Sequence, residues 1–302
     1  MTNVKKLGLT ALAGSLVATS GYAGSLDVTG GASMKYQSQH ETEVTGNSFS
    51  TGKGITFAGS GELDNGWTMS LSYTMSDAAF SSNVIKLDMG DAGTIGLGRG
   101  SSWAGIGAYD DVMPTAGEEV WDDTDLDDNG VVTHDSTNLI GYTGTFMGLG
   151  VSIGYTNTPN TAAASDKSFV LTHSGLVDGL EVGFGQGEVD VSQDTQTLYA
   201  KYTVGSVTLG YQASEIDYTG TTADEDRDHI AVSFAVNENL SVSYGVSDVS
   251  MNTAQDEESS GLSASYTMGS LTFGLVMNST KNVAGAASTE DDFSEVSVAI
   301  AF

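Results

Sequence analysis

The chain has 302 residues, 39 of them acidic against 10 basic, for a formal net charge of −29 at pH 7, with 39% hydrophobic residues and no cysteine. The acid excess excludes a nucleic-acid binder, which needs a basic footprint, and the missing cysteines exclude a disulfide framework. Apolar residues alternate along nearly the whole chain, which separates it from acidic disordered sequences, where apolar content is low and unpatterned.

Residues 1–23 read as a secretory signal that is cleaved. Lys5 and Lys6 form a charged start, Leu7 to Ala18 is mostly apolar, and Gly21-Tyr22-Ala23 offers small residues at a cleavage site. The apolar run is too short and interrupted to span a bilayer as a helix, and no other segment approaches one. Residues 24–302 then form a single domain.

From Ser25 onward the period is two. After a first strand near Leu26 to Tyr36 come the outward series Trp67, Met69, Leu71, Tyr73, Met75; Leu149, Val151, Ile153, Tyr155; and Leu198, Ala200, Tyr202, Val204. Val207, Leu209, Tyr211; Ile230, Val232, Phe234, Val236; Leu240, Val242, Tyr244, Val246; Leu262, Ala264, Tyr266, Met268; and Leu271, Phe273, Leu275, Met277 follow. The last strand sets Val296, Val298, Ile300 and Phe302 on one side and Ser297, Ala299 and Ala301 on the other. Glycine or a mixed face blurs the period near residues 52 to 63 and 166 to 175. An apolar face backed by small or polar residues suits a strand between lipid and a watery lumen.

Very short turns rich in Gly, Asn and Asp, such as Asp64-Asn65-Gly66, Asp91-Ala92-Gly93, Met147-Gly148 and Val204-Gly205-Ser206, alternate with longer polar segments. Seven short turns and eight longer segments join sixteen strands, and an even number puts both termini on the short-turn side. A soluble sandwich has no reason to sort its turns by length. The expected fold is an all-β, sixteen-stranded antiparallel transmembrane barrel, wide enough for an aqueous channel. Its last strand must pair with the first.

Residues 100 to 136 form the longest connection, about three times a typical loop, a length that is usually functional. It holds Asp110, Asp111, Glu118, Glu119, Asp122, Asp123, Asp125, Asp127, Asp128 and Asp135, with no Lys or Arg. Together with the signal, the strand layout, the Thr-Asp-Leu-Asp-Asp stretch at 124 to 128 and the terminal Phe302, this loop resembles the general porins of alphaproteobacteria, the Rhodobacter type. The likeness covers the whole mature chain in layout, and only the loop stretch residue by residue.

The resemblance implies an outer-membrane homotrimer of a Gram-negative bacterium, surrounded by lipid and lipopolysaccharide, passing small hydrophilic solutes without a required cofactor. It implies that the third external loop folds into the barrel as the pore constriction, and that Phe302 is read by the barrel-assembly machinery. Asp110, Asp111, Glu118, Glu119, Asp122 and Asp123 are then the eyelet carboxylates. Lys35, Lys53, Lys86 and Lys201 fit inward positions, with Arg99 at the loop's base; Lys35, Lys86 and Arg99 are the expected facing wall. Five basic groups cannot balance ten loop carboxylates, so the pore is expected to prefer cations.

Asp125, Asp127 and Asn129, with Gly130 and Val132, match the front of a calcium loop, although Ser136 stands where a bidentate Glu belongs and no helices flank it. Bound calcium, which is also a trait of the resembled family, and a solvated acidic loop both remain open. The four histidines lack metal-ligand spacing, and no Gly-x-Ser-x-Gly elbow marks an enzyme. Trp103 and Trp121 are expected to anchor the long loop. The alternative reading is a secreted or surface-layer acidic calcium-binding β structural protein.

Overall fold

The computed structural model describes residues 26–39, 48–77, 79–121, 129–131, 138–157, 165–189, 192–220, 222–252 and 254–302. They form sixteen strands: β1 (Leu26–Gln39), β2 (Phe49–Glu62), β3 (Thr68–Ser76), β4 (Ala79–Asp88), β5 (Thr94–Arg99), β6 (Leu139–Phe146), β7 (Leu149–Thr156) and β8 (Asp166–His173) make the first half. The second half is β9 (Leu180–Val189), β10 (Gln193–Val204), β11 (Val207–Tyr218), β12 (Glu225–Ala235), β13 (Leu240–Met251), β14 (Glu257–Met268), β15 (Leu271–Lys281) and β16 (Glu290–Ala301). Each pairs antiparallel with its sequence neighbours and β16 pairs with β1, closing the barrel. Closure leaves no edge to aggregate or to meet lipid unsatisfied. At the seam Tyr36 faces Val296 and Met34 faces Val298. The backbones of Gly30 and Phe302 exchange two 2.8 Å hydrogen bonds there, as the expected first-to-last pairing requires.

The outward series behave as one surface. Leu71, Tyr73, Ile153, Tyr155, Leu209, Tyr211, Tyr244 and Val296 are all exposed, and the register sets further outward residues beside them, Tyr202 next to Leu209 and Phe169 next to Ile153. In water this girdle would far exceed the few hundred Å² of apolar patch that a soluble monomer tolerates; lipid is the medium that makes it favourable, at about 25 cal/mol per Å² removed from water. Among the described residues no helix is long and apolar enough to cross a membrane; the strands do the crossing.

The turns on the terminal side are tight for stereochemical reasons. Met147 and Gly148 both take positive φ (51° and 86°), the two-residue hairpin turn whose twist matches the strands. On the other side the strands run further than the hydropathy pattern predicts, so β3 and β4 are joined across 77–78 and β9 and β10 across 190–192. Above the lipid, outward positions turn polar and alternation of hydropathy fades, but the backbone ladder continues: Asp194 faces Asp217, Glu215 faces Asp226, and Asp228 faces Asp248.

One inward assignment is corrected by the register. Lys53 lies opposite Ala32 in the outward series with Ile55 and Phe57, and pairs with Asp77 at 3.0 Å. Glycines on both sides of Lys53 had hidden the face of β2.

Candidate functional site

The inner face of the barrel carries small and polar residues, and the described part of residues 100–138 is fastened to it. Gly105 N–H donates to Ser152 Oγ (2.8 Å) and Ile106 N–H to Ser168 Oγ (3.0 Å), on β7 and β8. Ala116 N–H donates to Ser243 Oγ on β13 (2.9 Å), and Asn278 Nδ2 on β15 donates to the Val120 carbonyl (2.6 Å). Thr195 Oγ1 on β10 donates to the Gly130 carbonyl at 2.8 Å. Every one of these wall residues sits on the parity opposite the lipid-facing series.

Apolar contact does the rest. Met113, Val120 and Trp121 bury against Tyr199 and Ala231, while Ile106 and Val131 bury against Val170. Burial also pushes the Tyr109 phenol, which packs against both clusters, above its ordinary pKa. Trp121 is 1% exposed, stacks on His229 with ring centroids 4.7 Å apart and donates its indole N–H to Asn129 Oδ1 at 2.5 Å. Trp103 lies flat on glycine: a Cβ on Gly96, Gly98 or Gly141 would come within 2.8, 2.7 or 2.6 Å of its ring. Both tryptophans anchor the loop, as the sequence leads one to expect.

The predicted eyelet carboxylates separate into different roles. Asp111 and Glu118 are exposed; Glu118 reaches Lys35 on β1 at 3.3 Å, and Lys35 also holds Glu295 at 3.1 Å. Glu119 is an internal tie rather than a lumen charge, and Asp110, half-buried, also ties the loop. Asp110 Oδ1 accepts Asn129 N–H, and Glu119 accepts from Met113 N–H (2.8 Å) and Asn129 Nδ2 (2.9 Å) while only 3% exposed. Asp122 and Asp123 lie outside the described residues.

On the facing wall, Lys35 and Lys86 point inward, and Arg99 does not. Arg99 is opposite Asn83 in the outward series with Ile95 and Leu97, and lies 5.4 Å over the Phe80 ring. Strand parity continues to the end of β5, so the loop's base inherits a lipid-side position. Two inward cations complete the wall: Lys201 pairs with Glu181 at 3.1 Å, and the buried Arg227, which the sequence reading missed, pairs with Glu225 at 2.6 Å.

The calcium pattern fits poorly where it can be seen. Asp125 and Asp127 lie outside the described residues. Asn129 is 1% exposed, its Oδ1 taken by Trp121 and its Nδ2 by the Asp110 carbonyl, Glu119 and Gln212 Oε1. A side chain so engaged is a structural hub rather than a fifth-position ligand. No group of three or more candidate metal ligands occurs among the described residues.

Glycine on inward parity was the overlooked signal for the loop's resting place. Gly185 and Gly187 leave room for Ile106, Gly210 for Pro114 and Gly245 for Trp121. A lumen wall that met only water would not need them.

Comparisons with known proteins agree with this architecture. No curated protein matches the chain. Among solved structures, two engineered variants of the porin of Rhodopseudomonas blastica, an alphaproteobacterium, superpose with a TM-score of 0.71 at 14% and 15% identity, covering 92% of this chain and 100% of theirs. A structure described as concerning the asymmetric conductivity of engineered proteins gives 0.72 at 14% identity with the same coverage. Identity at that level speaks for the fold alone, but a family model described as Gram-negative porin matches residues 8–237, most of the chain. With a closed sixteen-stranded barrel, a lipid-facing girdle and this match together, the chain belongs to the Gram-negative porin family and is an outer-membrane protein.

Proposed function

We propose that the chain is a passive, water-filled channel for small hydrophilic solutes and ions, narrowed by the segment after β5 and preferring cations over anions. The channel itself follows from family and fold; the preference rests on one observation about the inner wall. Among the described residues four cations face inward, Lys35, Lys86, Lys201 and Arg227, and three of them are already paired with carboxylates. At least twice as many carboxylates occupy inward register positions on the strands, including Asp27, Glu62, Glu181, Glu225, Glu257, Asp291 and Glu295. Asp111 and Glu118 add exposed charge from the loop. Fixed charge of one sign between low-dielectric walls concentrates counter-ions and repels co-ions.

Reversal potentials across planar bilayers in a salt gradient test the reading: the expected sign is that of cation preference, and anion preference would overturn it. A homotrimer is part of the proposal. Openings that appear in groups of three support it, and openings that are always single refute it.

A further inference from the structure

The inner wall changes character on one sector. On β5 to β8 the inward positions are Gly, Thr, Ser, Leu and Val, and the only charged one among the described residues is Asp166 at the outer end of β8. The inward charges named above all stand on β1 to β4 or β9 to β16. Below the docked loop, toward the terminal side, the uncharged sector holds a recess of about 490 Å³, within the range of small-molecule sites. Thr94, Thr143, Thr145, Thr172 and Tyr109 line it, with Asp91 in the turn between β4 and β5 as its one ionised group.

Register and hydrogen bonding bring these groups within reach of one molecule. Thr94 faces Thr143, and Thr145 stands two residues further along the same face of β6, about 7 Å away. Thr145 faces Gly150, which in turn faces Thr172. The Tyr109 phenol oxygen takes hydrogen bonds from Thr172 and from Ser152, two residues from Gly150 on β7, so it is held over Gly150 and beside Thr145. Glycine is required there, because a Cβ on Gly150 would come within 2.3 Å of the Thr172 hydroxyl. The O–H of Tyr109 is left to donate, and among the described residues the hydroxyls of Thr94, Thr143 and Thr145 bond to no other side chain. Two strand spacings of about 4.8 Å separate Thr94 from Gly150, and a sugar ring with a hydrogen bond at each edge spans them.

Resting on the channel reading above, we propose that this recess is a transient subsite for small neutral carbohydrates. Hydroxyls that both donate and accept, threonine methyl groups and a phenol ring suit a molecule with hydroxyls at its rim and C–H groups on its faces. No cation lines the recess to hold an anion, and the Asp91 carboxylate accepts readily from a sugar hydroxyl. The subsite gives uncharged sugars a foothold in a lumen whose fixed charges act only on ions, and its neutral hydrogen bonds are weak enough to be left again, as conduction requires.

The test uses single channels of the full-length purified protein in planar bilayers, with glucose as the probe and triethylene glycol as a neutral solute of similar mass that carries ether oxygens in place of most hydroxyls. Glucose is expected to add saturable current noise that triethylene glycol does not. Thr145→Val, which keeps the shape and removes the hydroxyl, should weaken the apparent glucose affinity roughly fivefold, the scale of one lost neutral hydrogen bond, and Thr143→Val should do the same. Tyr109→Phe should weaken it by a similar factor, and because Tyr109 lies outside the strand ladder it keeps the test open if a strand variant fails to insert. Ser265→Ala, inward on β14 and away from the recess, should leave it unchanged. Equal noise from glucose and triethylene glycol, or wild-type glucose affinity in Thr145→Val and Tyr109→Phe channels, overturns the subsite. Channels of normal conductance with no glucose effect also overturn it while leaving the channel reading standing; a protein that never conducts removes the channel reading, and the subsite with it.

Discussion

Trp121→Ala asks whether the inner loop is docked by one small apolar cluster on the wall, separately from the hydrogen-bond ladder that closes the barrel. The indole is 1% exposed, packs on Tyr199 and Ala231, stacks on His229 at 4.7 Å and donates to Asn129. Truncating so buried a tryptophan costs about 3–5 kcal/mol, and Asn129 Oδ1 loses its donor as well. No strand hydrogen bond passes through Trp121, so the cost falls on docking of the loop and leaves the ladder intact. At about 1.4 kcal/mol per tenfold, the docked-to-released equilibrium moves by roughly two to four orders of magnitude. Trp121→Ala channels should then show higher and noisier single-channel conductance, with the heat-modifiable mobility of the folded barrel on gels nearly unchanged. Gly245→Val attacks the same contact from the wall, because a Cβ there comes within 2.7 Å of the ring; overpacking costs about 1–3 kcal/mol and should give a milder form of the same behaviour. Wild-type conductance and noise in folded Trp121→Ala channels would refute the reasoning, as would loss of the barrel itself at the wild-type folding temperature.

Four further outcomes follow from the site. Glu118→Gln and Asp111→Asn, which remove exposed loop charge, should each lower cation preference in reversal-potential measurements. Glu119→Gln should leave selectivity alone and loosen the loop, since a Gln amide nitrogen must face one of the donors that Met113 and Asn129 now present to a carboxylate, at about 1–3 kcal/mol; open-channel noise is the readout. Lys35→Gln should raise cation preference, whereas Arg99→Gln and Lys53→Gln, on the outer face, should leave the reversal potential within error. Gly30→Val should lower the temperature at which the barrel unfolds on gels by several degrees, because its side chain meets the Phe302 ring at the seam.

Strand count, closure and face were legible because lipid forces alternation on every outward position it touches. The outward series from Trp67 to Ile300 needed nothing but period two. Where lipid stops, that constraint stops: the hydropathy pattern breaks into loop near residues 188 to 194 and 217 to 227, although Glu188, Asp194, Asp217 and Asp226 stay in the ladder. Arg99 failed for that reason, as the last residue of β5, whereas Lys53 failed because the glycines on both sides of it hide the face of β2. The loop was legible as long and acidic, but its chemistry divides by burial, which composition does not encode. Adjacent Glu118 and Glu119 look alike in sequence, yet one meets Lys35 in the lumen and the other is sealed under Trp121's cluster. Only inward glycines such as Gly185 and Gly187, which leave room for Ile106, carry a signal for where the loop lies.

The whole-chain charge of −29 therefore says less about the pore than it first suggests. Glu188, Asp194, Glu215, Asp217, Asp226, Asp228, Asp248, Glu258 and Asp292 all sit on outward parity above the girdle. Wall and water separate them from a solute inside, and at physiological salt the Debye length is only about 8 Å. Asp110 and Glu119 are spent on holding the loop. What acts on a passing ion is the smaller inward set, in which Lys35, Lys201 and Arg227 are locally balanced and Lys86 stands apart beside Trp103. Replacing a neutralised inward pair by neutral residues should alter selectivity little, while replacing Lys86 or Glu118 alone should alter it measurably. Selectivity in this barrel is thus a property of a few unbalanced lumen groups, and the acidic composition serves the outer rim at least as much as the pore.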